Sequence, residues 1–243
     1  MTPFDEEHLR ALLGERLVFL PRCASTNTEA MARGRQGAPH GTVVVTDEQT
    51  GGRGRQGRSW HAQPGQNLSF SLILRPHIAP ADAAMLCFAA GAALAEILDL
   101  RLRWPNDLLD EQDRKVAGML AELELRGPGV DFVVLGVGIN VNQTEFPAEI
   151  PNPGSLAMTR GPRDRAVLLA ALVPAVLSRV ADVPGGNAEI LDAWRARSAT
   201  LGRVVQVGEL RGEAVDLSPE GALLLRTAEG LQTVLAGDVQ LVG

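Results

Sequence analysis

The densest chemistry-bearing stretch is GGRGRQGRSW, residues 51–60, which places Arg53, Arg55 and Arg58 within six residues of one another. Its four glycines let the backbone turn freely and approach a ligand closely. Such a loop suits a polyanion: a phosphate, a carboxylate or a nucleic-acid backbone. Gly52, Gly54 and Gly57 fit G-x-G-x-x-G, and Gly52 to Ser59 imitates a P-loop. Both motifs need a helix opening at the glycines, and here Pro64-Gly65 and a strand pattern follow. An RNA-tracking role for the Gly/Arg segment would need a basic face around it, and none surrounds it.

Other polar residues stand where a sheet would present a pocket. Ser25-Thr26-Asn27 offers two hydroxyls and an amide at a helix start, where simple capping is the alternative use. Gln49 leaves a strand just before the loop. Trp104-Pro105-Asn106-Asp107 sets an amide beside a carboxylate, a hold for Mg²⁺ or a ribose, or an ordinary turn. Asn140 and Asn142 interrupt an apolar strand pattern, and a buried Asn must find partners, so one is expected to contact a ligand or bridge. No Ser/His/Asp or Cys/His arrangement is evident, and His8, His40, His61 and His77 are scattered. The set fits a small neutral group, a carboxylate and a nucleotide, and points to phosphoryl or adenylyl chemistry, where positioning and electrostatics dominate.

Of 23 basic residues among 243, one is a lysine, Lys115. A GC-rich genome accounts for arginine in general. That makes the lone survivor a candidate for a position where a planar fork cannot replace a compact point charge. The net charge of −6 argues against a general nucleic-acid binder. Cys23 and Cys87 make neither a disulfide framework nor a zinc site. The polar start MTPFDEEHLR is unlike a signal peptide, and the apolar run at 83–95 is too short to cross a bilayer, so no membrane is expected and the cytoplasm is the expected compartment.

The elements that must position these residues follow from periodicity. A first helix is expected with Thr2 as its cap and Gly14 as its stop. Strand patterns cover LVFLP, residues 42–47 and residues 67–75; Thr26 and Glu29 have capping-box spacing for a helix to about Gly34. A buried helix is expected over 81–98, then a short strand ending at Pro105 and an acidic turn. Two strands joined through Gly127-Pro128-Gly129 come next. Residues 145–162 read as irregular, followed by helices at 163–181 and 187–198. From Gly202 five short apolar strands alternate with turns, as in a small β-barrel. The expected class is α+β with a mixed or mainly antiparallel sheet over residues 1–198 and an SH3-like barrel over 199–243.

GGRGRQGRSW, RWPNDLL, DRKVAGML and GVGINVN, in this order and spacing, resemble the biotin–protein ligases (biotin–acetyl-CoA-carboxylase ligases), over nearly the whole chain down to GDVQL. The resemblance implies that biotin and Mg-ATP give biotinyl-5′-adenylate, whose acyl group passes to a lysine of a biotin carboxyl carrier domain. It implies Lys115, Arg53 and Arg55 as catalytic groups. Ser25, Thr26, Asn27, Gln49, Gly52, Arg53, Gly54, Arg55, Lys115 and Gly118 would line the biotin site. Arg55, Arg58, Trp60, Asn106, Asp107, Lys115 and Asn140 would meet the nucleotide, with Asp107 also a metal ligand. The rival of the same fold is a lipoate–protein ligase or related acyl transferase. Some relatives carry an N-terminal DNA-binding module; 24 residues before Ser25 cannot hold one, so no DNA is expected as partner and no repressor activity. The resemblance admits a monomer or a homodimer.

Overall fold

The computed structural model describes residues 3–242. Thr2, the expected cap of the first helix, lies outside them. Asp5 caps α1 (Glu6–Leu13) instead, its carboxylate accepting from the backbone N–H of Glu7 and His8.

One mixed sheet carries the larger part of the chain. Its strands are β1 (Leu17–Cys23), β2 (Thr42–Gln49), β3 (Leu68–Leu74), β4 (Arg101–Arg103), β5 (Asp107–Leu109), β6 (Lys115–Arg126) and β7 (Gly129–Ile139). They lie in the order β1-β2-β3-β7-β6-β5-β4. β1 and β2 are parallel, joined through α2 (Thr26–Arg35); the other neighbours are antiparallel. β3, LSFSLIL, is buried along its whole length, its serines included, as a strand covered on both faces. The β6–β7 hairpin turns at Gly127, whose φ of 59° suits glycine.

α3 (Ala83–Leu98) is the core helix. Pro80–Leu98 is long and apolar enough to cross a membrane by composition, contrary to the shorter run read from sequence, but Met85, Leu86 and Leu94 are wholly buried among sheet and helices. α5 (Arg165–Val180) and α6 (Asn187–Ala196) pack against it, with Phe88 and Trp194 in ring contact at 5.6 Å.

Three local expectations need correction. Asp107 opens a strand, β5, rather than closing a turn, because it pairs with Arg103 on one side and Gly118 on the other. Residues 145–162 hold a short helix, α4 (Leu156–Arg160), capped by Ser155. β7 stops at Ile139, so Asn140 and Asn142 lie beyond it.

The tail folds as a five-stranded antiparallel sheet of β8 (Val204–Val207), β9 (Leu210–Leu217), β10 (Leu223–Thr227), β11 (Gly230–Val234) and β12 (Val239–Leu241). It is tied to the larger sheet by the Trp104 indole, which donates to the Gly221 carbonyl at 2.9 Å, and by an Arg203–Asp113 ion pair at 2.8 Å. This seating brings the loop before β12 to the edge of the cavity described next.

Candidate active site

The sheet has a bare patch. β6 and β7 pair Gly118 with Gly138 and Leu120 with Gly136, leaving three positions without a side chain. A Cβ on Gly136 would strike the Asn27 amide, and one on Gly138 the Trp60 indole. One on Gly118 would come within 3.3 Å of the Asp107 carboxylate and the Lys115 ammonium. Glycine within a strand often marks such close approach. The patch floors a cavity of about 1060 Å³, large enough for two small molecules.

At one end the parallel pairing sets Cys23 beside Gln49, which puts the end of β2 under the first turn of α2. Ser25, Thr26 and Asn27 are buried there, yet Ser25 caps the helix without any side-chain bond. The capping-box reading of Thr26 is therefore corrected: its N–H and hydroxyl both donate to Gln49 Oε1, at 2.9 and 3.2 Å. Ser71, fully buried on β3, lies 2.8 Å from Thr26 Oγ1 and 2.6 Å from Asn27 Oδ1. Four oxygens thus share two hydroxyl protons, so this end has acceptor capacity to spare for incoming N–H donors. Asn27 Nδ2 donates to Glu122 Oε2 at 2.6 Å.

The 51–60 loop is closed on itself. Trp60 N–H donates to the Gly52 carbonyl at 2.9 Å and Gly54 N–H to the Arg58 carbonyl at 2.7 Å, around a turn with positive φ at Gln56 and Gly57. Its arginines have anionic or carbonyl partners. Arg53 pairs with Glu122 at 3.1 Å and Arg58 with Asp238 at 2.6 Å. Arg55 donates to Asn106 Oδ1 and to the Gly237 carbonyl, both at 3.2 Å. Gly52 does not line the main cavity: a Cβ there would meet the Trp60 carbonyl and Gln49 Nε2 within 2.6 Å, so its smallness serves packing.

At the other end, Lys115 Nζ lies 2.7 Å from Asp107 Oδ1 and 5.6 Å from the centre of the Trp60 ring. Arg103 takes Asp107 Oδ2 at 2.6 Å. Burial alone would raise the Asp107 carboxyl, but Lys115 and Arg103 outweigh it and hold it below its ordinary value. With each oxygen already on a cation, Asp107 does not fit the metal-ligand role expected of it, and no cluster of three or more metal-binding side chains occurs among the described residues. Asn106 spends its amide on Met119 and Arg55. Asn140 Nδ2 donates to the Gly154 carbonyl at 2.9 Å, while its buried Oδ1 has no partner among the described residues. Asn142 is the bridging residue, exchanging two bonds with the Arg163 backbone. Burial raises both thiols, Cys87 to about 11, so neither is a ready nucleophile.

Every candidate from sequence except Gly52 and Asn142 lines this one cavity. Sequence reasoning missed Ser71, Arg103, Glu122, Gly136, Gly138 and Asp238. Two signals were available: polar residues alternating in a buried strand at Ser69 and Ser71, and glycines inside β7.

Residues 19–140 match the family model described as the biotin/lipoate A/B protein ligase family, and residues 200–242 the one described as the biotin protein ligase C-terminal domain. The chain is 36% identical to a biotin–[acetyl-CoA-carboxylase] ligase of Paracoccus denitrificans, over 91% of this chain and 98% of that one. It is 33% identical to a ligase of the same description from Mycobacterium tuberculosis, over 98% and 95%. A solved biotin protein ligase from Aquifex aeolicus, in complex with biotin and ATP, superposes with a TM-score of 0.78 at 31% identity, covering 94% of this chain and 99% of that one.

Proposed function

The chain belongs to the biotin/lipoate A/B protein ligase family, and from that premise we infer that it is an ATP-dependent biotin–protein ligase. A carboxylate oxygen of biotin attacks the α-phosphorus of ATP, pyrophosphate leaves, and biotinyl-5′-adenylate forms. The amine of an acceptor lysine then attacks the acyl carbon and AMP leaves. The acceptor belongs to acetyl-CoA carboxylase, as for the relatives; its carrier domain, a compact unit able to present one lysine to the cavity, is our proposed partner. We propose the cytoplasm as the workplace.

One observation carries the choice of acid: Gln49, Thr26 and Asn27, an acceptor-rich cluster backed by the buried Ser71, line one cavity with Lys115 and the loop arginines. A ureido ring brings two N–H donors for those oxygens, whereas the dithiolane end of lipoate brings none and would leave them unpaired. In this reading Ser25, Thr26, Asn27 and Gln49 hold the ring, with Gly118 keeping the floor open. Lys115 faces the carboxylate. Phosphate oxygens displace Asp238 from Arg58 and the Gly237 carbonyl from Arg55, because a guanidinium grips phosphate in two-point geometry. Trp60, Asn106 and Asn140 border the nucleotide end. Magnesium bound with ATP would supply neutralisation of phosphate charge. Closing Arg53 and Gly54 over the acid excludes water from the mixed anhydride.

The test is which acid supports ATP–pyrophosphate exchange. Biotin is expected to drive exchange and lipoate to leave it at the acid-free rate. Exchange driven by lipoate alone would transfer the assignment to the lipoate branch.

A further inference from the structure

Among the acidic groups near the cavity, Glu122 has an unusual position. Gly118, Leu120, Glu122 and Glu124 follow one another on the same face of β6. Gly118 and Leu120 line the cavity; Glu122 lies one step outside it and touches two residues that do. Its Oε2 accepts from Asn27 Nδ2 at 2.6 Å, and both its oxygens lie within 3.2 Å of Arg53 Nη2. The next acid, Glu124, pairs with Arg35, which does not border the cavity.

The two contacts differ in weight. Arg53 is about half exposed, with 47% of its side chain accessible, so its ion pair adds little to overall stability and acts locally, on where the loop lies. Asn27 is buried, and its short bond to a carboxylate is charge-assisted. That bond also settles the amide's orientation: Nδ2 must face the anion, so Oδ1 faces Ser71 and the oxygen cluster. Remove the carboxylate and Nδ2 keeps only a long 3.4 Å bond to the Leu120 carbonyl, so the amide loses the main restraint that keeps a donor from turning toward the cluster that should accept.

We propose that Glu122 is a positioning residue for the acid-binding end of the site, orienting Asn27 and drawing Arg53 of the loop down beside it. The inference rests on the biotin-ligase reading and adds to it a residue that never touches substrate. Occupancy of the floor and closure of the loop are then linked through one carboxylate.

The test compares Glu122→Ala and Glu122→Gln with the unaltered chain. Biotin-dependent pyrophosphate exchange gives separate KM values for biotin and ATP, and trypsin cleavage after Arg53 reports the loop. Glu122→Ala is expected to raise the biotin KM roughly tenfold or more, leave the ATP KM within about twofold and speed cleavage. Glu122→Gln keeps an oxygen for Asn27 but removes the negative charge that faces Arg53. It should recover most of the biotin KM while its loop is cut as fast as in the alanine variant. A wild-type biotin KM in Glu122→Ala, or an equal rise in both KM values, overturns the proposal. Should the alanine variant not fold, Glu122→Gln decides, and cleavage at the wild-type rate overturns it. No biotin-dependent exchange in the unaltered chain removes the ligase reading itself, and the proposal with it.

Discussion

Exchanging Lys115 for arginine is expected to slow adenylate formation roughly 10²–10³-fold, the usual effect of losing one preorganised charge at a reacting centre. The formal charge survives the exchange, so the loss must come from shape. The ammonium is held 2.7 Å from Asp107 Oδ1, and the absent side chain of Gly118 leaves it only a small space. A guanidinium is wider and planar, and its preferred partner is a carboxylate gripped at both oxygens. Asp107 offers that grip, with Arg103 already on its far oxygen at 2.6 Å. The arginine fork would turn into Asp107 and away from the cavity. Rapid-quench measurement of the first turnover checks this, with thermal melting to show that the fold is retained. Near-normal rates for Lys115→Arg would mean that the lone lysine is an accident of composition.

The second large effect comes from adding one methyl group. Gly136→Ala is expected to raise the biotin KM roughly 10–100-fold, in line with overpacking costs of about 1–3 kcal/mol. The new Cβ would occupy the space of the Asn27 amide, whose other sides are fixed by Glu122 and Ser71. The amide cannot retreat without abandoning a charge-assisted bond. The same methyl at Gly138 presses on Trp60 instead and is expected to act mainly on the ATP KM. Steady-state kinetics with each substrate varied separately check the pair. A biotin KM within twofold of normal for Gly136→Ala would show that the floor can yield.

Most elements were legible because local periodicity carries them. The buried run of β3, the alanine-rich α3 and the five tail strands need no knowledge of their neighbours. β5 was not legible, since three residues make a strand only when Arg103 and Gly118 flank Asp107. The end of β7 was misread because apolar residues continue to Val141 after the ladder stops at Ile139. The site shows the same division. The loop arginines and Lys115 are marked by type and rarity. Glu122 looks like any solvent-facing acid of an amphipathic strand, and only the packing of α2 across β2, β3 and β7 brings Asn27 within its reach. Asp238 sits about 180 positions from the arginines it neutralises, and no spacing rule reaches that far. Ser25 and Thr26 were compatible with capping from sequence alone; only the β1–β2 pairing, which sets Gln49 beneath them, gives Thr26 a different task.

The proposed activity needs one cavity that brings two anions together, a biotin carboxylate and a nucleotide phosphate, and shields the product. The most direct measurement is mass spectrometry of the purified chain incubated with biotin, ATP and magnesium, with no acceptor protein present. Biotinyl-5′-AMP should accumulate on the protein in about one equivalent, with pyrophosphate released in step. Formation of ADP, or no acyl-nucleotide at any biotin concentration, would contradict it.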